Sequence, residues 1–261
     1  SARSYHEMKV IAIINQKGGV GKTTTTVNLA TAMAAIGKNV LIIDLDPQGN
    51  SSTGLGIAKA RGLQSSYGVI LGMVKPEEVI QKTFINGLHI ISSTIDLSAA
   101  EVELFPQKDR ESKLKNAISH LDYDYAFIDC PPGFGLININ ALNAANKIII
   151  PLQCEFYALE GLTQLFNTIQ SVRSTINKDL VVAGILLTMY DRRNSLSSSI
   201  AADVRSNLGK LVFDTVIPRN VRISEASSFG KPVILYSTKS SGALAYIELA
   251  REFLNREADG K

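Results

Sequence analysis

Short apolar runs recur along the chain, separated by longer stretches in which apolar residues return at helical spacing. Val10 to Ile14, Asn39 to Asp44, Leu88 to Ser92, Tyr125 to Asp129, Lys147 to Pro151, Leu180 to Thr188 and Val212 to Ile217 read as strands. Most are continuously apolar rather than alternating, as strands covered on both faces are. Val27, Leu29, Ala30, Met33 and Ala34 fall on one helical face. Helices are also expected over Glu77 to Lys82, Lys113 to Leu121, from Gly161 to about Ile176, over Leu196 to Leu208 and over Gly242 to Arg256. Another starts at Ser98, with Glu101 completing a capping box. Strands alternating with helices predict an α/β fold: a doubly wound, mostly parallel sheet with helices on both faces. One domain is expected over residues 9–257. Residues 1–8 are expected to lie outside it, as a disordered segment or an expression remnant, with Met8 a candidate for the native start. No internal repeat or low-complexity linker divides the chain.

Lys17-Gly18-Gly19-Val20-Gly21-Lys22-Thr23-Thr24 lies between the first strand and the first helix. Glycines let consecutive backbone N–H groups close on an anion, and a helix start adds its positive end. Lys22 supplies a charge for β- and γ-phosphates, and the Thr23 hydroxyl is placed to ligate Mg²⁺. The general pattern Gly-x-x-x-x-Gly-Lys-[Ser/Thr] puts a glycine where this chain has Gln16. A second lysine, Lys17, stands instead at the front of the loop.

Two further strands end in carboxylates. Asp44-Leu45-Asp46-Pro47 follows the second strand, and Asp129 closes Tyr125 to Ile128. Ligands of open α/β sheets bind at the carboxyl ends of strands. Asp44 and Asp129 are candidates for the Mg²⁺ shell, and Asp46 for orienting or deprotonating the attacking water. Cys130-Pro131-Pro132-Gly133 then turns the chain where a γ-phosphate would be sensed.

Composition changes this picture little. The 45% apolar fraction supports a sizeable core in 261 residues, and no apolar run approaches a membrane span. Cys130 and Cys154 are too few for a disulfide framework or a zinc site, which fits a reducing cytosol. The net charge of +3 does not by itself imply nucleic acid. The arginines do more: Arg192, Arg193, Arg219 and Arg222 follow the last two strands and can gather at one rim, where they would track DNA phosphates without reading sequence. In the last helix Glu248, Glu252 and Glu257 offset Arg251 and Arg256, so it reads as a packed core helix rather than a membrane anchor.

The loop, with Lys17 ahead of it, resembles the deviant Walker A motif of the ParA/MinD class of P-loop ATPases. Asn15 to Asn28, Asp44 to Gly56, Ile128 to Pro132, Pro151 to Leu162, Leu186 to Asp191 and Ile217 to Pro232 resemble ParA/Soj chromosome- and plasmid-partitioning ATPases. That resemblance implies weak basal ATP hydrolysis with Mg²⁺ and an ATP-sandwich homodimer. It also implies non-specific binding of double-stranded DNA by the dimer, stimulation by a ParB-type centromere-binding partner, and a cytoplasmic, nucleoid-associated location without a membrane. Carried over by position, Lys17 acts in trans, Lys22 and Thr23 serve phosphate and Mg²⁺, Asp46 serves water, and Asp129 serves Mg²⁺. Glu155 resembles the position that meets the partner's nucleotide. Pro218 and Asn220 resemble the adenine-side loop, with Met189 nearby. Arg193, Arg222 and Arg219 resemble DNA-binding positions. Ser227 and Gly133 depart from the common proline and serine. The rival expectations are a MinD-like membrane-associated positioning ATPase and an orphan relative that positions a protein cargo.

Overall fold

A computed structural model describes residues 7–260. In chain order the elements are β1 (Lys9–Ile13), α1 (Lys22–Ala35), β2 (Val40–Asp44), α2 (Asn50–Gly54), α3 (Ser66–Ile70), α4 (Pro76–Val79), β3 (Ile80–Lys82), β4 (Leu88–Ile91), α5 (Leu97–Leu104) and α6 (Lys113–Ile118). They continue with β5 (Tyr125–Asp129), α7 (Leu136–Ala144), β6 (Lys147–Gln153), α8 (Ala158–Thr175), β7 (Val181–Tyr190), α9 (Ser195–Leu208), β8 (Val212–Pro218), α10 (Val221–Ser228), α11 (Val233–Tyr236) and α12 (Ser241–Asp259).

The strands form one sheet in the order β3-β4-β2-β5-β1-β6-β7-β8. Every pairing is parallel except that of β3 with β4. Central strands are apolar on both faces because helices cover both. One core layer contains Ala12, Ile128 and Ile150 with α7 and α8 residues such as Leu142 and Leu165. The other contains Ile11, Phe127 and Ile149 with Met33 of α1 and Tyr246 and Phe253 of α12. Successive strand residues thus send their side chains to opposite cores.

The register positions the site. Ile13 pairs with Asp129, and Asp129 with Asp44, so β1, β5 and β2 end level. At the opposite ends of these strands, the Glu257 carboxylate near the end of α12 accepts from the Lys9 ammonium at 3.0 Å and pairs with Lys147. This pins the last helix under the amino ends of β1 and β6.

Four expectations need correction. The stretch Glu77 to Lys82 is not one helix: α4 ends at Val79 and the chain straightens into β3, whose backbone pairs with β4. The capping box at Ser98 does not form. Helix α5 begins one residue earlier, and the Glu101 carboxylate accepts instead from the N–H groups of Leu136 and Ile137 at 2.6 and 3.0 Å, capping α7. Helix α12 packs as expected through Leu249 and Phe253, but its Leu244 and Ile247 face outward. Of the segment 1–8, residues 1–6 lie outside the described residues, whereas Met8 is buried against the core.

Candidate functional site

The loop between β1 and α1 takes its shape from two left-handed glycines. Gly19 has φ 72° and Gly21, the residue before α1, has φ 90°. Either conformation would strain a residue with a Cβ. The loop is held from behind by Thr188 at the end of β7, whose hydroxyl donates to the Val20 carbonyl at 2.7 Å. Lys22 is buried, and its ammonium donates to the Lys17 carbonyl across the loop. Burial pulls its pKa down from the usual lysine value, against the opposing charges of Asp129 and Asp46. An incoming polyanion would add counter-charge and favour the charged ammonium against its burial.

Thr23 and the strand-end carboxylates converge as the register requires. The Thr23 hydroxyl donates to Asp129 Oδ2 at 2.8 Å, and the Ser51 hydroxyl at the start of α2 donates to the same oxygen at 2.7 Å. Asp129 Oδ1 and Asp44 Oδ2 are buried without a hydrogen-bond partner. Burial pushes the Asp129 carboxyl up to about 6, and burial followed by the Asp129 charge pushes Asp44 well up. Two buried carboxylates side by side, each with an orphaned oxygen, beside a threonine hydroxyl are a donor set that fits a divalent cation. Among the described residues no three His, Cys, Asp or Glu cluster as a metal cage. Such a site suits Mg²⁺, which takes its remaining ligands from phosphate and water.

Asp46 is half-buried at the mouth. Its N–H donates to Asp44 Oδ1 at 3.1 Å, and its own carboxylate accepts from the Gln48 N–H at 3.0 Å. A crevice of about 610 Å³ opens in front, lined among others by Gly18, Gly19, Thr24, Asp46, Pro131 and Glu101. The following loop is tied down from within: Asn138 Nδ2 donates to the carbonyls of Pro131 and Gly133 at 2.9 and 2.7 Å. The structure thus brings Gly18 to Thr24, Asp44, Asp46 and Asp129 to one place.

The other expected residues sit around this crevice without lining it. Lys17 points outward at the front of the loop and forms an ion pair with Glu155 of its own chain. Phe156 and Tyr157 beside it are 70% and 80% exposed, and Tyr157 takes a left-handed φ of 65° to start α8. Met189 also has a positive φ, 50°, directly after Thr188. Pro218 ends β8 in register with Tyr190, and the Asn220 side chain caps α10 by accepting from the Arg222 N–H at 2.9 Å. Met189, Pro218 and Asn220 thus lie on adjoining strand ends, beyond the crevice lining.

The loops that carry the arginines meet through the same pairing. The Arg219 N–H donates to the Tyr190 carbonyl at 3.0 Å, drawing the loops after β7 and β8 together. Arg193 is exposed and pairs at 3.2 Å with Asp191, whose carboxyl is held below its usual range by Arg193 and then Arg219. Arg222 pairs with Glu225 at 2.7 Å.

Sequence reasoning missed Ser51, Thr188 and Glu101 as parts of this site. All three act through contacts distant in sequence, and only the turn before Ser51 gave a local cue.

The geometry has close counterparts. A family model described as an AAA domain matches residues 8–182. The chain is 51% identical over 260 residues to the chromosome partitioning protein ParA of Caulobacter vibrioides, covering 98% of this chain and 97% of that protein. It is 50% identical over 246 residues to the sporulation initiation inhibitor protein Soj of Bacillus subtilis, covering 94% and 97%. Among solved structures it matches cobyrinic acid a,c-diamide synthase from Mycobacterium smegmatis with bound ATP analog and magnesium. That match has a TM-score of 0.84 and 37% identity over 97% of each chain. The septum site-determining protein MinD of Pyrococcus horikoshii, complexed with Mg-ADP, matches with a TM-score of 0.77 and 25% identity over 94% of this chain and 95% of that one. A phosphate-cradling loop with a second lysine, carboxylates at level strand ends, and full-length identity near one half lead to one assignment: the chain belongs to the ParA/Soj family of chromosome-partitioning ATPases.

Proposed function

We propose that this chain is a nucleotide-gated DNA-partitioning ATPase, which binds DNA as an ATP-bridged homodimer and leaves it after hydrolysis. One observation carries the reading: the phosphate loop, the outward Lys17 and the arginines all sit at the carboxyl ends of the strands. A surface formed across a nucleotide there would align two copies of the arginine rim.

Gly18 to Thr24 bind the phosphates of ATP, with Lys22 on the β- and γ-phosphates. Thr23 and the Asp44–Asp129 pair would hold Mg²⁺, which would supply charge neutralisation at the phosphates. Asp46 orients a water toward the γ-phosphorus. Attack breaks the bond to the bridging oxygen and yields ADP and phosphate. Lys17 leaves Glu155 and reaches the nucleotide of a second copy, while Phe156 and Tyr157 become covered against that copy. Met189, Pro218 and Asn220 flank the adenine. Arg193, Arg219 and Arg222 contact DNA phosphates, and doubling them in the dimer makes binding steeply dependent on assembly. Basal hydrolysis is weak because the geometry around Asp46 is completed only when a ParB-type partner docks.

Asp46→Ala tests this. The variant should bind ATP, dimerise and stay on DNA while turnover falls at least a hundredfold. Wild-type turnover in that variant would remove Asp46 from its role.

A further inference from the structure

Gln16 stands where the general phosphate-loop pattern has glycine, and its side chain does something no glycine could do. Its amide Nε2 donates to the Gly161 carbonyl in the first turn of α8 at 2.7 Å. Its own backbone carbonyl accepts from the Gly133 N–H at 2.8 Å, in the loop that follows Asp129. One residue therefore touches three segments: the phosphate loop, the loop after β5, and the helix that starts beside Glu155, Phe156 and Tyr157.

Gly161 supplies a second, independent observation. Glycine inside a helix costs about 1 kcal/mol relative to alanine, so its place in α8 calls for a reason. A Cβ at Gly161 would lie 2.7 Å from Gln16 Nε2. The helix has given up a side chain where the amide lands. The turn is anchored further by the Gly161 N–H donating to the Tyr157 carbonyl at 2.9 Å. Neighbouring Asn15 fixes the approach, accepting from the Lys17 N–H at 3.0 Å and donating to the Pro151 carbonyl at 2.7 Å.

We propose that Gln16 is a positioning residue, which transmits the state of the Gly133 loop to the start of α8 through its bond to Gly161. It thereby sets where Glu155, Phe156 and Tyr157 stand when a second copy arrives. The consequence for assembly rests on the dimer proposed above; the coupling itself does not.

The test uses the full chain as wild type, Gln16→Glu, Gln16→Gly and Gly161→Ala. Gln16→Glu replaces the donor by an oxygen that repels the Gly161 carbonyl, and Gly161→Ala pushes the flexible amide away without disturbing the phosphate loop. Hydrogen exchange is read with and without a non-hydrolysable ATP analogue, at a dilution where sedimentation shows monomer. Affinity for a fluorescent nucleotide is measured alongside. In the wild type the analogue should protect both residues 17–24 and residues 157–165. In each variant the affinity should stay within threefold and 17–24 should remain protected, while the response of 157–165 falls at least tenfold. At higher concentration, ATP-dependent dimerisation should weaken at least tenfold. Combining Gln16→Gly with Gly161→Ala should cost no more than either alone, since both remove one contact.

An unchanged α8 response in Gln16→Glu would overturn the proposal. So would a wild-type α8 that ignores nucleotide, or nucleotide affinity falling in step with the α8 response. A wild type that shows the α8 response yet never dimerises would count against the proposed function and leave the coupling standing.

Discussion

Converting Asp129 to asparagine should stabilise the nucleotide-free protein at neutral pH, although it removes a central residue of the site. Asp129 is fully buried. Burial raises its pKa from 3.8 to about 6; the Asp46 charge adds to this, and bonds from Ser51 and Thr23 and the Lys22 charge oppose it. A carboxyl that holds its proton more tightly folded than unfolded helps the folded state most below about pH 4. That help is lost as pH rises toward about 6, beyond which the cost of the buried charge is constant. A shift of about two units at ~1.4 kcal/mol each gives about 3 kcal/mol at pH 7. The amide introduced by Asp129→Asn would keep an oxygen for the Thr23 and Ser51 hydroxyls, and losing the charge should also relieve Asp44. Urea unfolding followed by circular dichroism, at pH 4.5 and 7.5 without nucleotide or divalent cation, reads the effect. Relative to wild type, the variant should gain about 2 kcal/mol between the two pH values, because at pH 4.5 the unfolded carboxyl is already mostly ionised. Mg²⁺ with ATP should close the gap by stabilising only the charged wild type. Parallel curves for the two proteins, or a variant less stable than wild type at pH 7.5, would refute the reasoning.

Three further outcomes are expected. Gly21→Ala forces a Cβ into a φ of 90° and to 3.4 Å from the Thr188 methyl. It should cost about 1–2 kcal/mol in a melting experiment and weaken nucleotide binding in a fluorescence titration. Glu257→Gln loses the charge-assisted bonds from Lys9 and Lys147 at the far end of the sheet. Urea unfolding should show a loss of about 2 kcal/mol, while nucleotide affinity is unchanged. Arg193→Glu or Arg222→Glu should abolish DNA binding in a mobility-shift assay and leave ATP-dependent dimerisation, read by sedimentation, intact; loss of both together would count against the rim.

The central sheet and the phosphate loop were legible because their signals are local. The apolar runs of β1, β2, β5 and β6 need no partner to be read, and the loop glycines carry their reason in their own backbone angles. Asp44 and Asp129 could be placed at strand ends, but not side by side, since that follows from β2 and β5 being neighbours. What escaped was decided by contacts distant in sequence. Ile80 to Lys82 has helix-compatible residues and becomes a strand because β4 offers its edge. Glu101 sits three residues after Ser98, as a capping box demands, yet finds better donors at the start of α7. Likewise nothing in the order Asn-Gln-Lys says that the glutamine amide will meet a glycine in α8.

The claim that nucleotide gates the arginine rim is tested most directly by measuring DNA binding of the purified protein with ATP, with ADP and with neither, at one fixed salt concentration. Binding with ATP alone, falling steeply as salt is raised, is the predicted result. Equal binding in all three states would contradict the account, because the rim would then act without assembly.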